Sequence, residues 1–337
     1  MPSANENTAV TAPVEMETYP WHDATWSMLT RDLDRLTHAL LLYGQNGLGK
    51  KNFALRLSQF LLCQKPGADS ACGACSACAL FRSGNHPDFL RVEPIEDSRN
   101  IVVDQVRAVI EFFALKAHSA GRKIVLVAPA EAMNVNAANS LLKILEEPPS
   151  GSLLILLAAH YSRIPATVRS RCMRVAFATP SLSQASNWLR GRSPTIDDPN
   201  VVLTLAGGAP LSALALVQEN GLALQTQLLT DLAALATGRG DPITCAERWK
   251  TEGAEKCVEG LYRFLSEGVR ANARVSQSDS VHLSLPQSKT FSFNYIELYK
   301  FIDKLSILKK QLGTGVDEGL ALEELFITWS EMASTAV

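Results

Sequence analysis

The sequence predicts an α/β domain built on a parallel sheet, followed by a helical region. Between about residues 22 and 178, five short and nearly continuous apolar runs alternate with helical patterns. Strands that are apolar along their whole length are typical of a parallel sheet covered by helices on both faces. After Pro180 such runs are absent and helical patterns dominate. With 337 residues, the chain is long enough for two or three domains.

The predicted strands cover residues 39–43, 88–92, 124–128, 153–158 and 173–177. Helices are predicted between them because apolar residues recur at helical spacing, as in 53–61, 103–115 and 138–145. Later helices are predicted over 181–190, 198–206, 211–219, 222–237, 245–272, 292–312 and 317–333. We therefore expect a loose tail (1–20), an α/β domain (21–178), a small helical domain (179–221) and an all-helical domain (222–337).

Composition excludes several classes of protein. The 32 Lys and Arg residues nearly balance the 34 Asp and Glu residues, so the protein does not bind nucleic acid with its surface as a whole. Aromatic residues make up only 7%, which argues against base-stacking platforms. No apolar run approaches the roughly 18 to 20 residues that cross a bilayer, and the first 20 residues lack the features of a signal peptide. We expect a cytoplasmic protein.

A phosphate-binding loop is indicated by residues 44–51, GQNGLGKK, which follow a predicted strand and open a predicted helix. Such a loop cradles phosphates with backbone N–H groups at a helix N-terminus. Gly44, Gly49 and Lys50 occupy the fixed positions of this motif. Lys51 replaces the Ser or Thr whose hydroxyl binds Mg²⁺, so the loop predicts the fold but leaves ATP or ADP binding in doubt.

The other parts of a nucleotide-hydrolysing site are absent from the sequence. A P-loop ATPase needs an acidic residue at the end of its third strand to hold Mg²⁺ and polarise water. Here that strand ends in Ala128 and Pro129, and Glu131 lies two residues too far along to point into the site. The fourth strand ends in Ala158 and Ala159, which offer no polar side chain to a γ-phosphate. We predict no hydrolysis by this chain.

Four cysteines predict a metal site. Cys63, Cys72, Cys75 and Cys78 have the spacing C-x8-C-x2-C-x2-C, and C-x2-C turns deliver thiolates in pairs to a tetrahedral Zn²⁺. Four protein ligands leave no open position, so the zinc would be structural. An iron–sulfur cluster and unrelated thiols are the competing interpretations.

Together, the defective P-loop, the cysteine insert after its helix (63–78), residues 139–149 (NSLLKILEEPP) and residues 170–172 (SRC) resemble the delta-prime family of bacterial DNA polymerase III clamp-loader subunits. The resemblance covers about residues 22–180. It implies an AAA+ fold with a helical lid domain and an all-α C-terminal collar domain. It also implies partners: the gamma/tau and delta subunits through the collar, and the sliding clamp and primer-template DNA within the complex.

The resemblance gives Arg171 a role in trans. Taken alone, Arg171 is a surface arginine before a strand; in the family, the matching arginine is a finger presented to ATP on the adjacent gamma/tau subunit. The chain would then be a component of a DNA-directed DNA polymerase holoenzyme, a nucleotidyltransferase complex, without ATPase activity of its own. The alternatives are an active P-loop ATPase, such as a gamma/tau-like motor, and a zinc-containing DNA-binding protein, which the net charge of -2 disfavours.

Overall fold

The computed structural model describes residues 16–33, 36–95, 98, 100–118, 121–194, 196, 198–218, 221–273, 280–285, 289–312 and 315–334. The chain divides into two compact units, residues 1–184 and 185–337. Within the described residues, no single helix is long and apolar enough to cross a membrane, and one sharply bent pair of short helices passes only on combined length and composition.

The first unit is built on a five-stranded parallel sheet in the order β2-β3-β4-β1-β5. Its strands are β1 (Ala39–Tyr43), β2 (Phe89–Val92), β3 (Lys123–Val127), β4 (Ser152–Ala158) and β5 (Met173–Ala176). The three central strands β3, β4 and β1 are almost wholly buried, which is why they read as continuous apolar runs. All five predicted strands are confirmed to within one residue at either end.

The helices of the first unit are α1 (Asp23–Thr30), α2 (Lys50–Leu62), α3 (Ser76–Arg82), α4 (Val103–Ala114), α5 (Val135–Glu146) and α6 (Ala166–Arg169). The helix α5 begins where the Asn134 side chain accepts a hydrogen bond from the Ala137 N–H at 2.8 Å. It buries one face, including Leu141 and Leu145, in the sheet core. It ends at Glu146, just before Pro148 and Pro149, which cannot continue a helix.

The second unit is mainly helical. The sequence predicted no strands after Pro180, and this prediction is wrong, because the unit also contains two strands. Its helices are α7 (Leu182–Arg192), α8 (Pro199–Leu205), α9 (Pro210–Gln218), α10 (Gly221–Ala236), α11 (Pro242–Glu252), α12 (Ala254–Ala273), α13 (Tyr295–Gln311) and α14 (Glu318–Ser334). Between α12 and α13 lies an antiparallel hairpin of β6 (Ser280–Leu285) and β7 (Lys289–Asn294). The C-terminal region is therefore not all-α, whereas the α/β architecture predicted for the first unit, a parallel sheet with helices, is confirmed.

The hairpin forms because its apolar residues alternate rather than follow a helical period. Val281 faces Phe293 and Leu283 faces Phe291, and all four side chains are buried in the core of the second unit. The predicted helix over 245–272 is likewise two helices, α11 and α12. They are separated by Gly253 at φ 114°, a conformation that side chains rarely adopt.

The first described residues do not form a loose tail. Residues 16–22, which we call the strap, end in a short helical turn, and Tyr19 and His22 in it are each only 2% exposed. Residues 1–15 of the predicted tail lie outside the described residues. The three-domain division of 21–337 remains a prediction.

Candidate functional site

The P-loop runs from the end of β1 to the start of α2 and has two positions that only glycine fits. Gly44 has φ 149°, and a Cβ there would overlap the carbonyl oxygen of Phe177. Gly49 has φ 82° and is the N-cap of α2, where a Cβ would lie 2.5 Å from the Tyr19 ring. The motif therefore forms the expected strand–loop–helix unit, but a tyrosine covers its last glycine.

Lys50, the residue expected to reach phosphate oxygens, is turned back onto its own loop. Its ammonium donates hydrogen bonds to the carbonyl oxygens of Gly44 at 2.5 Å and Gln45 at 2.8 Å. The side chain is buried, and burial lowers its pKa to about 8, although the Glu131 carboxylate opposes that shift. The loop carbonyls thus take the place of a phosphate as acceptors for this charge.

The strap holds the loop from the other side. The Trp21 indole N–H and the His22 ring both bond to the Leu48 carbonyl oxygen, at 3.0 and 2.7 Å. Burial lowers the pKa of His22 to about 4, so the ring is neutral near pH 7 and Nε2 must carry the proton that it donates. Tyr19 stacks on Trp21 and accepts a hydrogen bond from the Asn52 amide at 2.7 Å.

Lys51, in the Mg²⁺-ligand position, points to the end of β2 and not to the loop. Its ammonium lies 2.7 Å from one carboxylate oxygen of Glu93, whose other oxygen is 3.2 Å from Arg91. An exposed pair of this kind contributes less than about 1 kcal/mol to stability. Its consequence here is chemical, because Lys51 offers neither a hydroxyl for a cation nor a charge that is free of a partner.

Glu131 lies closer to the site than its spacing from β3 predicted. One carboxylate oxygen accepts hydrogen bonds from the backbone N–H groups of Ala159 at 2.8 Å and His160 at 3.4 Å, directly after β4. The other oxygen is buried without a hydrogen-bond partner among the described residues. The expectation that Glu131 would miss the site is wrong, because a 3-10 turn over Ala130–Ala132 bends the chain back.

The four predicted metal-binding cysteines come together. The sulfurs of Cys63, Cys72, Cys75 and Cys78 all lie within 4.8 Å of one another. The Sγ–Sγ distance is 3.5 Å for Cys63 and Cys72, 3.9 Å for Cys63 and Cys75, and 4.0 Å for Cys72 and Cys78. Zn–S bonds of about 2.3 Å in a tetrahedron place sulfurs roughly 3.8 Å apart. The cluster therefore fits one metal ion.

The backbone of the insert favours thiolates at its outer edge. N–H groups of Ala74 and Cys75 lower the pKa of Cys72. Burial opposes ionisation of Cys75, yet donors that include the N–H groups of Cys78 and Gln64 bring its pKa to about 6. Burial raises the pKa of Cys78 to about 12 in the absence of a metal, whose positive charge would reverse that direction.

His86 is not a member of the cluster. Its ring nitrogen Nδ1 accepts a hydrogen bond from the Asp88 N–H at 3.1 Å, and the ring is almost fully buried beside Phe81. It thus caps the turn into β2.

Arg171 follows α6 and is exposed, while its neighbours anchor the turn. Val168 and Cys172 are buried on either side of it. Its guanidinium donates to the Thr167 carbonyl oxygen at 3.0 Å and lies 2.6 Å from a carboxylate oxygen of Glu146 at the end of α5. Burial raises the pKa of Cys172 to about 12, so this thiol is no nucleophile near neutral pH.

Sequence reasoning missed two groups of residues. The strap aromatics Tyr19, Trp21 and His22 stood at the border of a polar tail, and their clustering beside Pro20 was the available signal. Glu146 lay inside the stretch 139–149, but nothing local connects it to Arg171, 25 positions later.

A P-loop and parallel sheet whose loop lysine and cation position are already paired within the chain define a class: P-loop α/β proteins with an incomplete nucleotide site. The model for "DNA polymerase III, delta subunit" matches residues 21–181, and that for its C-terminal part matches residues 219–331. The chain belongs to the DNA polymerase III subunit delta' family and is a component of the clamp loader.

Two relatives support this membership. The DNA polymerase III subunit delta' of Pseudomonas aeruginosa is 40% identical over 69% of this chain and 71% of its own length. That of Escherichia coli is 30% identical over 93% of this chain and 95% of its own length. Among solved structures, a DNA polymerase III gamma subunit-related protein of Thermotoga maritima is 16% identical over 91% of this chain and 99% of its own, with a TM-score of 0.47.

Proposed function

We propose that this chain is a non-hydrolysing subunit of the clamp loader that supplies Arg171 to ATP bound by a neighbouring subunit. The neighbour would be of the gamma/tau type, and the assembly would load the sliding clamp onto primed DNA. The family membership implies partnership with other clamp-loader subunits. A cytoplasmic location follows from a role at the replication fork.

The observation that carries the proposal is the state of Lys50. The ammonium group of Lys50 donates hydrogen bonds to two carbonyl oxygens of its own loop. It would have to give up these acceptors before it could bind a phosphate. A nucleotide would have to break both hydrogen bonds in a buried site, and the Tyr19 ring covers Gly49 beside them.

The chain also lacks the residues that would bind the Mg²⁺ ion and polarise the attacking water. Lys51 is paired with Glu93, and Ala128 and Pro129 stand where an acidic pair would hold Mg²⁺ and polarise water. Glu131 has one oxygen committed to the backbone after β4. These features favour a stationary subunit over the alternative of a gamma/tau-like motor.

We further propose that zinc is the metal of the cysteine cluster. Four thiolates at tetrahedral spacing are a set that Zn²⁺ prefers, and a closed set of protein ligands favours a structural role. An iron–sulfur cluster remains the competing occupant, and its colour and iron content would identify it.

The isolated chain is expected to show no ATP turnover above background. The physical reason is that Ala128 and Pro129 follow β3 where an acidic pair would hold Mg²⁺ and polarise water, and one Glu131 oxygen is bound to the backbone after β4. The measurement is steady-state phosphate release with and without Mg²⁺, on wild type and on Lys50→Ala. Turnover that persists through purification and disappears in Lys50→Ala would establish the motor instead.

Calorimetric titration of the isolated chain with ATP and ADP is expected to show no Mg²⁺-dependent binding. Lys51 lacks the hydroxyl that would join a cation to the loop, so adding Mg²⁺ cannot strengthen binding by that route. Tighter binding of ATP with Mg²⁺ than without it would contradict this prediction.

A further inference from the structure

The contact between Glu146 and Arg171 joins two parts of the sequence that lie 25 positions apart. Glu146 is the last residue of α5, whose opposite face is buried in the sheet core. Arg171 stands in the turn after α6, between buried Val168 and Cys172. Packing thus fixes the backbone at both positions. Nη2 of Arg171 lies 2.6 Å from Oε1 of Glu146.

Three groups surround the Arg171 guanidinium. One terminal nitrogen lies against the Glu146 carboxylate, and the other donates to the Thr167 carbonyl at 3.0 Å and lies 3.4 Å from the Ser170 hydroxyl. An arginine side chain otherwise has many rotamers, and holding it in one of them before a ligand arrives removes that entropic cost from the binding step.

The pair has little to do with the stability of the chain itself. The side chains of Arg171 and Glu146 are 36% and 52% exposed, and ion pairs in such positions contribute little to folding. A carboxylate that orients a functional side chain is a recognised device, as when it holds the ring of a metal-binding histidine. The exposure therefore favours a role toward a partner over a role in the core.

We infer that Glu146 is a positioning residue that holds the Arg171 guanidinium ready for the phosphates of a nucleotide bound by the adjacent subunit. This inference rests on the proposed function, since it gives Arg171 its target. Glu146 itself touches no nucleotide; its carboxylate fixes one edge of the planar fork, which leaves the remaining N–H donors for phosphate oxygens.

The test uses the complete loader, reconstituted with its gamma/tau and delta subunits and with wild type or a variant of this chain. Glu146→Ala is expected to lower the single-turnover hydrolysis rate at the site next to this subunit by roughly three- to fivefold, the scale of an exposed ion pair. KM for ATP and the yield of assembled complex should stay unchanged. Glu146→Gln should lie between Ala and wild type, because its amide oxygen accepts the hydrogen bond without the charge.

Two further variants separate the possible failures. Glu147→Ala removes an adjacent exposed carboxylate and should match wild type. In an Arg171→Ala background, Glu146→Ala should have no added effect. If Arg171→Ala lowers the rate and Glu146→Ala does not, the positioning role is refuted and the proposed function stands. If Arg171→Ala itself has no effect, the proposed function fails. A faster rate in Glu146→Ala would make the carboxylate a competitor for the guanidinium and overturn the inference.

Discussion

Changing Cys72 and Cys75 together to Ser is expected to abolish metal binding and release the insert from its fold. Purified wild type should contain about one zinc per chain, and the double variant none. Structural zinc can supply on the order of 10 kcal/mol to a small module, far more than the short helix α3 could supply alone. Elemental analysis of the two proteins is the direct measurement.

Loss of the metal should also disturb the packing of α3 against the sheet. The α3 residue Phe81 is fully buried and packs against Phe89 of β2, with ring centres 4.7 Å apart. Limited proteolysis should therefore cut the variant first within residues 63–82, before the rest of the domain. Ser76→Ala, an exposed change in the same insert, is the matched control and should keep its metal. Wild type with no metal, or with iron, would contradict the zinc assignment.

Changing Arg171 to Ala is expected to lower the DNA-stimulated ATPase and the clamp loading of the assembled loader. An arginine finger supplied in trans accelerates hydrolysis at its site by about 10³- to 10⁵-fold. The steady-state loss should be partial, because only the ATP site next to this subunit is affected. Arg171→Lys should be nearly as poor, since an ammonium cannot reproduce the planar fork of a guanidinium.

The chain itself should tolerate this change. Among the described residues, the polar contacts of the Arg171 side chain are the exposed ones to Glu146, Thr167 and Ser170, so its loss should leave folding, zinc content and assembly intact. Arg107→Ala removes an equal charge from an exposed helix position and serves as control. Unchanged ATPase and clamp loading in both the Ala and the Lys variant would return Arg171 to the role of a surface arginine.

The parts that sequence predicted well were those in which local pattern and burial agree. The strands β1, β3 and β4 are buried on both faces, so their sequences are apolar throughout and their ends are sharp. The cysteine cluster was predictable for a similar reason, since its spacing alone brings the ligands together. The hairpin β6–β7 was missed because two short alternating runs beside long helical patterns give a weak signal.

The parts that sequence missed depend on contacts between distant residues. The strap is ordered by the Leu48 carbonyl, which accepts hydrogen bonds from Trp21 and His22, more than 25 positions away. Lys50 was predicted to be a P-loop lysine, but its hydrogen bonds to the loop carbonyls depend on a backbone path that composition does not encode. The position of the Glu131 carboxylate at the end of β4 likewise depends on a backbone path that composition does not encode.

In the proposed function, this subunit contributes to hydrolysis at a neighbour's site and performs none itself. Rapid-quench counting of ATP hydrolysed per loader in the first turnover tests it most directly. Arg171→Ala is expected to remove one ATP per complex from the fast phase and to leave the other sites at their normal rate. A fast phase of unchanged amplitude in Arg171→Ala, with the complex fully assembled, would contradict it.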